Sequence, residues 1–164
     1  KKYRKVVIKT LYNKGGEGIE MVDIKKPKDA NDQFLKLVNK YQVPVVIQKF
    51  IENVKKGDKR VILLNGNPVG IINRIPPKGH FKANLHLGGR AEATALSDKE
   101  KQICNSLKKI LINEKLFFVG IDLINETLTE INVTSPTGIV QIKELCGTNI
   151  AKKIWDKLIA MNHF

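Results

Sequence analysis

Two stretches, 117–124 and 128–133, alternate apolar and polar residues and read as antiparallel strands joined by the loop Asn125-Glu126-Thr127. Paired across that loop, Ile124 faces Leu128, Asp122 faces Glu130, and Gly120 faces Asn132. One side of the hairpin then gathers Phe117, Val119, Ile121, Leu123, Thr129, Ile131 and Val133, while the other gathers Asp122, Glu130 and Asn132. The apolar side is expected to be buried, because a slip of one residue would drive the carboxylates into the core. Across such a pair the Cβ atoms of Asp122 and Glu130 lie roughly 5 Å apart, which is repulsive unless a cation sits between them. Asp, Glu and Asn offer only oxygen donors. That set suits a hard cation such as Mg²⁺, which also takes phosphate oxygens, with Mn²⁺ as the alternative.

A second group of residues suits phosphate itself. Gly15, Gly16, Glu17 and Gly18 form the tip of a hairpin between a strand at 6–8 and another at 19–24. Glycines there let backbone N–H groups approach an anion closely, and Lys9 at the end of the first strand adds a point charge. No GxxxxGK[ST] occurs, which excludes the P-loop solution to phosphate binding. His80, His86 and His163 have neither triad partners nor zinc-ligand spacing and read as exposed loop and tail residues. Chemistry built from these parts works by positioning and electrostatics, as phosphoryl transfer does.

The elements that must position these residues follow from pattern. Pro27 and Asp29 introduce a helix through Phe34, Leu35, Leu37, Val38 and Tyr41, followed by an apolar strand at 43–47 running into Gln48-Lys49-Phe50-Ile51. Residues 53–59 are polar and turn-like. Residues 60–64 and 69–75 flank Asn65-Gly66-Asn67-Pro68 as a hairpin. Residues 76–96 carry Pro76, Pro77, Gly79, Gly88 and Gly89 without periodicity, and a connection of that length is usually functional. Ser97 and Glu100 form a capping box ahead of a helix through Ile103, Leu107, Ile110 and Leu111. Two further helices are predicted near 139–145 and 149–161. The order ββαβ, ββ, α, ββ, αα predicts an α+β fold of two lobes joined near 48–55.

Composition bounds what such a fold does. The chain has 164 residues, 29 Lys+Arg against 16 Asp+Glu, and a net charge of +13. At 42% hydrophobic and 27% charged residues it is neither disordered nor collagen-like, and no run approaches the ~18 apolar residues of a membrane span. Twenty-five of the cations are Lys, dispersed and not interleaved with aromatics, which reads as a solvated surface rather than a nucleic-acid face. The only arginines are Arg4, Arg60, Arg74 and Arg90. Where Lys is the default cation, a retained Arg points to planar, bidentate geometry. Cys104 and Cys146 are expected to be buried free thiols in a reducing, cytoplasmic compartment. The start Lys1-Lys2-Tyr3-Arg4-Lys5 is not a signal peptide and has no initiator Met, from which a fragment is expected.

Leu123-Ile124 through Leu128-Thr129-Glu130-Ile131-Asn132-Val133-Thr134-Ser135-Pro136-Thr137 resembles the metal-binding segment of bacterial glutathione synthetase, an ATP-grasp ligase. Gly57-Asp58-Lys59-Arg60-Val61, Arg74-Ile75-Pro76, Asn84-Leu85, Gly88-Gly89-Arg90-Ala91-Glu92 and Phe118-Val119-Gly120-Ile121-Asp122 are similar to that family too, in the same order. The resemblance implies an ATP-grasp fold whose two α+β lobes, at 1–50 and 51–164, have antiparallel sheets enclosing a nucleotide. A substrate domain N-terminal to them is expected to be missing from this chain. The resemblance further implies that Asp122, Glu130 and Asn132 hold Mg²⁺, and that Lys9 and the loop 14–18 contact the phosphates of ATP. Gln48, Lys49, Phe50 and Ile51 would receive adenine, with Asp58 near the ribose. Arg60, Arg74 and Arg90 would face phosphates or the substrate carboxylate. Loop 76–91, with Asn84, Gly88 and Gly89, would be a lid, and Thr134, Ser135, Pro136 and Thr137 would seat the peptide substrate. His86-Leu87 in the lid and Lys49 in the hinge depart from the family pattern. The implied partners are γ-glutamylcysteine and glycine in a homo-oligomeric enzyme, with neither nucleic acid nor membrane. The alternatives are another ATP-grasp carboxylate–amine ligase and a noncatalytic nucleotide- or polyanion-binding module.

Overall fold

The computed structural model describes residues 3–13 and 15–161, so Lys14 of the glycine loop and His163 of the tail lie outside the described residues. In chain order the elements are β1 Lys5–Thr10, β2 Ile19–Asp23, α1 Pro27–Tyr41, β3 Val45–Lys49, β4 Asp58–Leu64, β5 Asn67–Ile75 and β6 Arg90–Glu92. There follow α2 Asp98–Asn113, β7 Phe118–Ile124, β8 Thr127–Asn132, α3 Ile139–Cys146 and α4 Ile150–Ala160. The class is α+β with antiparallel sheets, and the chain divides into the compact units Lys1–Glu52 and Asn53–Phe164. Among the described residues no helix is long and apolar enough to cross a membrane.

The first unit is a three-stranded sheet of order β2-β1-β3 carrying α1. Proline enters α1 at its first turn, where its missing N–H costs nothing, and Gln42 closes the helix in the left-handed region at φ 52°. Leu37 buries against Ile8 and Val22, with Phe34 and Tyr41 at the margin. That packing fixes which side of β1 faces the helix.

The second unit is built on a five-stranded sheet of order β6-β5-β4-β7-β8. The β4–β5 hairpin turns at Asn65 and Gly66, both at positive φ (45° and 72°), a two-residue turn whose twist matches the strands it joins. Val61, Leu63, Val119, Ile121 and Leu123 point to one face, where they bury with Cys104 and Leu111 of α2. Ile62 and Ile72 point to the other and bury with Ile142 of α3 and Ile150 of α4. Gly70 on β5 permits that approach. A Cβ there would sit 2.8 Å from Ile150 Cδ1 and 2.9 Å from Ile142 Cγ2.

Several expectations change in detail. The β7–β8 loop is Asn125-Glu126, both left-handed (φ 49° and 57°), rather than three residues, so Ile124 pairs with Thr127 and Leu123 with Leu128. An irregularity between Asp122 and Leu123 absorbs the extra residue and restores Asp122↔Glu130 and Gly120↔Asn132. Ile131 and Val133, expected inside, are 43% and 50% exposed, because β8 is the edge strand and no further strand covers them. Cys104 is buried, but Cys146 is exposed at the end of α3. The stretch 76–96 is not structureless throughout: Leu85–Leu87 forms a 3₁₀ turn, and β6 pairs with β5 through Asn73↔Glu92, Arg74↔Ala91 and Ile75↔Arg90. Residues Glu52–Lys56 likewise make a short 3₁₀ turn before β4.

Candidate active site

The strand face that carries Ile62 and Ile72 changes character farther along. There β4 presents Asp58 and Arg60, β5 presents Arg74, β7 presents Asp122, and β8 presents Glu130 and Asn132. Register puts Asp58 beside Arg74, Arg60 beside Asp122, and Asp122 beside Glu130. Alternation along four strands therefore brings acids and arginines from separate parts of the chain into one patch.

Asp122 is its centre. Arg60 donates from Nε to Oδ1 at 2.5 Å and from Nη2 to Oδ2 at 3.0 Å, a bidentate pair. Arg74 Nη2 lies 3.0 Å from Asp122 Oδ1 and also donates to Asp58 Oδ2 at 2.7 Å. Asn132 Nδ2 donates to Asp122 Oδ2 at 3.4 Å, and Thr129 Oγ1 donates to the Asp122 carbonyl at 3.1 Å. Arg60, Arg74 and Asp122 are each at most 5% exposed. Two of the four arginines thus converge on one buried carboxylate, Arg60 with the fork geometry that their scarcity had suggested.

Electrostatics separates the two aspartates. Burial pushes the Asp58 carboxyl up, to about 7, and the Asp122 charge adds to this while Arg74 and Arg60 oppose it. Burial also pushes Asp122 upward, but Arg74 and Arg60 outweigh it and hold Asp122 below the ordinary carboxylate value. The Arg74 guanidinium is disfavoured by burial, yet Asp122 and Asp58 raise it above its usual value. One oxygen, Asp58 Oδ1, is buried without a hydrogen-bond partner.

Arg60 needs room for its stem, and Gly120 provides it. A Cβ at Gly120 would lie 2.6 Å from Pro136 Cβ and 3.3 Å from Arg60 Cδ. Arg60 Nη1 in turn donates to the Thr137 carbonyl at 3.1 Å, tying the 134–138 segment to the cluster. Sequence reasoning passed over Gly120 as a site residue. Its signal was a glycine in the interior of an otherwise apolar strand.

The donor chemistry of Asp122, Glu130 and Asn132 fits a hard cation, since all three offer oxygen from one strand face. Among the described residues, however, no group of three or more His, Cys, Asp or Glu is arranged to hold a metal ion. The Asp122 carboxylate is engaged by both arginines, which compete with a metal ion for its oxygens.

The remaining expected residues are distributed as follows. In the first unit, half-buried Lys9 lies one residue before the end of β1, opposite Ile19 and Val46. Gly15, Gly16 and Gly18 are left-handed (φ 69°, 81° and 64°), Glu17 is exposed, and Thr10 N donates to Gly18 O at 3.0 Å, closing the loop. Gln48 is half-buried on β3. Lys49 is exposed with Nζ 5.4 Å from the Tyr3 ring, Phe50 is buried, and Ile51 is half-buried. In the second unit, Arg90 is not part of the arginine pair. Its side chain is 74% exposed and meets Glu92 at 2.5 Å on β6. Asn84 accepts from Leu87 N and Gly89 N through its carbonyl; Gly88 is left-handed, and a Cβ on Gly89 would collide with Ala83 O. Pro136 is buried over Gly120, while Thr134, Ser135 and Thr137 are exposed, as are His80 and His86. On the opposite face of the sheet, a cavity of about 200 Å³ is lined by Lys59, Asn73, Ser97, Glu100, Asn125 and Glu126 among others, none of them an expected site residue.

Comparison with known proteins adds a family. Residues 1–147 match the family described as prokaryotic glutathione synthetase, ATP-grasp domain. The glutathione synthetase of Prochlorococcus marinus subsp. pastoris is 48% identical over 155 residues, covering 94% of this chain and 50% of that protein. That of Mesorhizobium japonicum is 38% identical over 160 residues, covering 95% and 50%. The chain spans about half the length of the curated relatives it matches. Among solved structures, the D-cycloserine synthetase DcsG aligns with a TM-score of 0.68 at 13% identity, over 86% of this chain and 51% of that one. The D-alanine–D-alanine ligase of Bacillus anthracis complexed with ATP aligns with a TM-score of 0.61 at 16% identity, over 96% and 53%. At such identities these structures show the fold alone.

Proposed function

We propose a function from one premise: the chain belongs to the ATP-grasp domain family of prokaryotic glutathione synthetase. It acts as the ATP-binding and acyl-activating portion of an ATP-dependent carboxylate–amine ligase that joins γ-glutamylcysteine to glycine. The observation that carries this reading is the buried Arg60–Asp122–Arg74 cluster, with Glu130 and Asn132 on the adjoining edge strand.

In the reaction, the cysteinyl carboxylate of γ-glutamylcysteine attacks the γ-phosphorus of ATP, and the bond to ADP breaks. The glycine amine then attacks the acyl carbon, inorganic phosphate leaves, and the amine loses a proton. Carboxylate and triphosphate repel each other, so the protein's task is to compensate charge and align the groups. Arg60 and Arg74 do this with bidentate donors, exchanging part of their hold on Asp122 for phosphate or carboxylate oxygens. Their exchange leaves Asp122, Glu130 and Asn132 to hold Mg²⁺, which when bound supplies further positive charge at the phosphate oxygens. Lys9 and the loop containing Gly15, Gly16, Glu17 and Gly18 contact phosphates, and Gln48, Lys49, Phe50 and Ile51 receive the adenine. Asp58 Oδ1, a buried acceptor without a partner, faces the ribose role. Arg90 and residues 76–91, including Asn84, Gly88 and Gly89, form a lid that limits hydrolysis of the acyl phosphate, with Arg90 leaving Glu92 on closure. Thr134, Ser135, Pro136 and Thr137 seat the peptide, held by the Arg60–Thr137 bond. The same reading makes the full-length enzyme a cytoplasmic homo-oligomer.

Calorimetry on the chain tests the nucleotide and metal roles. Mg-ATP binding is expected, lost on Asp122→Ala plus Glu130→Ala. Salt-sensitive binding of duplex DNA with no Mg-ATP binding would replace this reading with a polyanion-binding module. In a protein of the relatives' full length, ADP release that depends on glycine and γ-glutamylcysteine separates this ligase from others of the same fold.

A further inference from the structure

Asp58 belongs to the arginine cluster through a contact its ribose role does not explain. Its Oδ2 accepts from Arg74 Nη2 at 2.7 Å, and its backbone carbonyl accepts from Arg74 Nε at 3.3 Å. The same Arg74 nitrogen lies 3.0 Å from Asp122 Oδ1. One guanidinium nitrogen is therefore divided between two carboxylates. β4 supplies Asp58 and β7 supplies Asp122, while Arg74 reaches across from β5. The side chains are enclosed, with Arg74 and Asp122 each 6% exposed and Asp58 16% exposed, so water does not screen the competition.

That division has a direction. Each arginine that holds Asp122 competes with a cation for its oxygens. Arg60 is bound to it at two points and also anchored to Thr137, whereas Arg74 has a second acceptor to which it can withdraw. We propose that Asp58 is a positioning residue: by drawing Arg74 toward β4, it sets how readily Asp122 accepts a divalent cation. This rests on the metal reading of Asp122, Glu130 and Asn132 made above. In this proposal Asp58 is not a metal ligand; it acts through Arg74. Triphosphate oxygens compete for the same guanidinium, so nucleotide and Asp58 work in the same sense, both relieving Asp122.

The test is Mn²⁺ binding to the intact chain at pH 8, read from the electron paramagnetic resonance of free Mn²⁺ without any turnover. Asp58→Asn keeps the shape and an acceptor oxygen but removes the charge that competes for Arg74. Its Mn²⁺ affinity is expected to fall roughly tenfold, as a charge-assisted bond is lost to the opposing side. Arg74→Gln is expected to raise affinity. In the Arg74→Gln background, Asp58→Asn should have little further effect, because the residue through which it acts is gone. An equal loss from Asp58→Asn in both backgrounds would mean that Asp58 is simply a nearby charge, and the positioning role would be wrong. Wild-type binding that is abolished by Asp122→Asn yet unchanged by Asp58→Asn would overturn the positioning role and leave the metal reading standing. A wild-type chain that binds no Mn²⁺ would overturn both. Circular dichroism of each variant confirms folding, and Asp58→Glu, which restores the charge, is expected to recover part of the affinity.

Discussion

The two faces of the five-stranded sheet are made by the same strands, one residue out of step. Val61, Ile121 and Leu123 look toward α2, while their neighbours Arg60 and Asp122 look the other way. The apolar side chains of the first face need only fill space, and many combinations of Val, Leu and Ile would do so. On the second, every buried charge needs a partner in a fixed place, because an uncompensated ion in a dry environment costs several kcal/mol. The cluster around Val61, Ile121 and Leu123 tolerates change; the Arg60–Asp122–Arg74 cluster does not, and that rigidity holds Asp122 in one place.

The sharpest way to break this contrast is to remove the shared partner. Asp122→Ala leaves Arg60 and Arg74 buried without their common acceptor and is expected to cost about 4 kcal/mol in urea unfolding. Ile121→Val, directly beside it on the other face, should cost only about 1 kcal/mol. Similar losses for the two would dissolve the distinction between faces. Gly120→Ala comes next. The added methyl meets Pro136 at 2.6 Å and crowds the Arg60 stem, so a loss of about 2 kcal/mol is expected together with weaker Mg-ATP binding. Neutral behaviour would mean that the 134–138 segment yields easily and does not hold Arg60.

The smallest effect concerns pH. The folded Asp58 carboxyl titrates near 7 instead of 3.8, so the folded chain keeps its proton while the unfolded chain has lost it. Asp58 therefore withdraws stability as pH rises from about 4 to 7, with no further change above that. Asp122 has the opposite sign: its depressed value contributes stability above about 4, which is lost as pH falls. The stability of wild type relative to Asp58→Asn should accordingly drop by about 1 kcal/mol or more between pH 4.5 and 7.5. A flat difference would show that Asp58 is not held in a protonating environment.

Much of this was legible in the residues. Period-two alternation around Asp122, Glu130 and Asn132 announced a polar strand face, and the Asp122↔Glu130 and Gly120↔Asn132 pairs formed as expected, although by way of a two-residue turn and a bulge. Arginine scarcity singled out Arg4, Arg60, Arg74 and Arg90 alike, and the family resemblance grouped the last three. Arg60 and Arg74 share the buried cluster, while Arg4 pairs with Asp23 and Arg90 lies exposed beside Glu92, since rarity says nothing about direction. Ile131 and Val133 read as core because alternation does not reveal which strand is the edge.

What the sequence by itself determined is local: turns that demand positive φ at Asn65-Gly66, the capping box at Ser97 and Glu100, and the sidedness of each strand. These depend on residues within a few positions of one another. Only the tertiary structure decided that Asp58 and Arg74, 16 residues apart, and Arg60 and Asp122, 62 apart, would neutralise one another. The order β6-β5-β4-β7-β8 places them side by side, and strand order is set by how apolar faces pack against α2, α3 and α4. Charges bury only where such packing has already excluded water, so their partners are chosen by the core, not by the charges themselves.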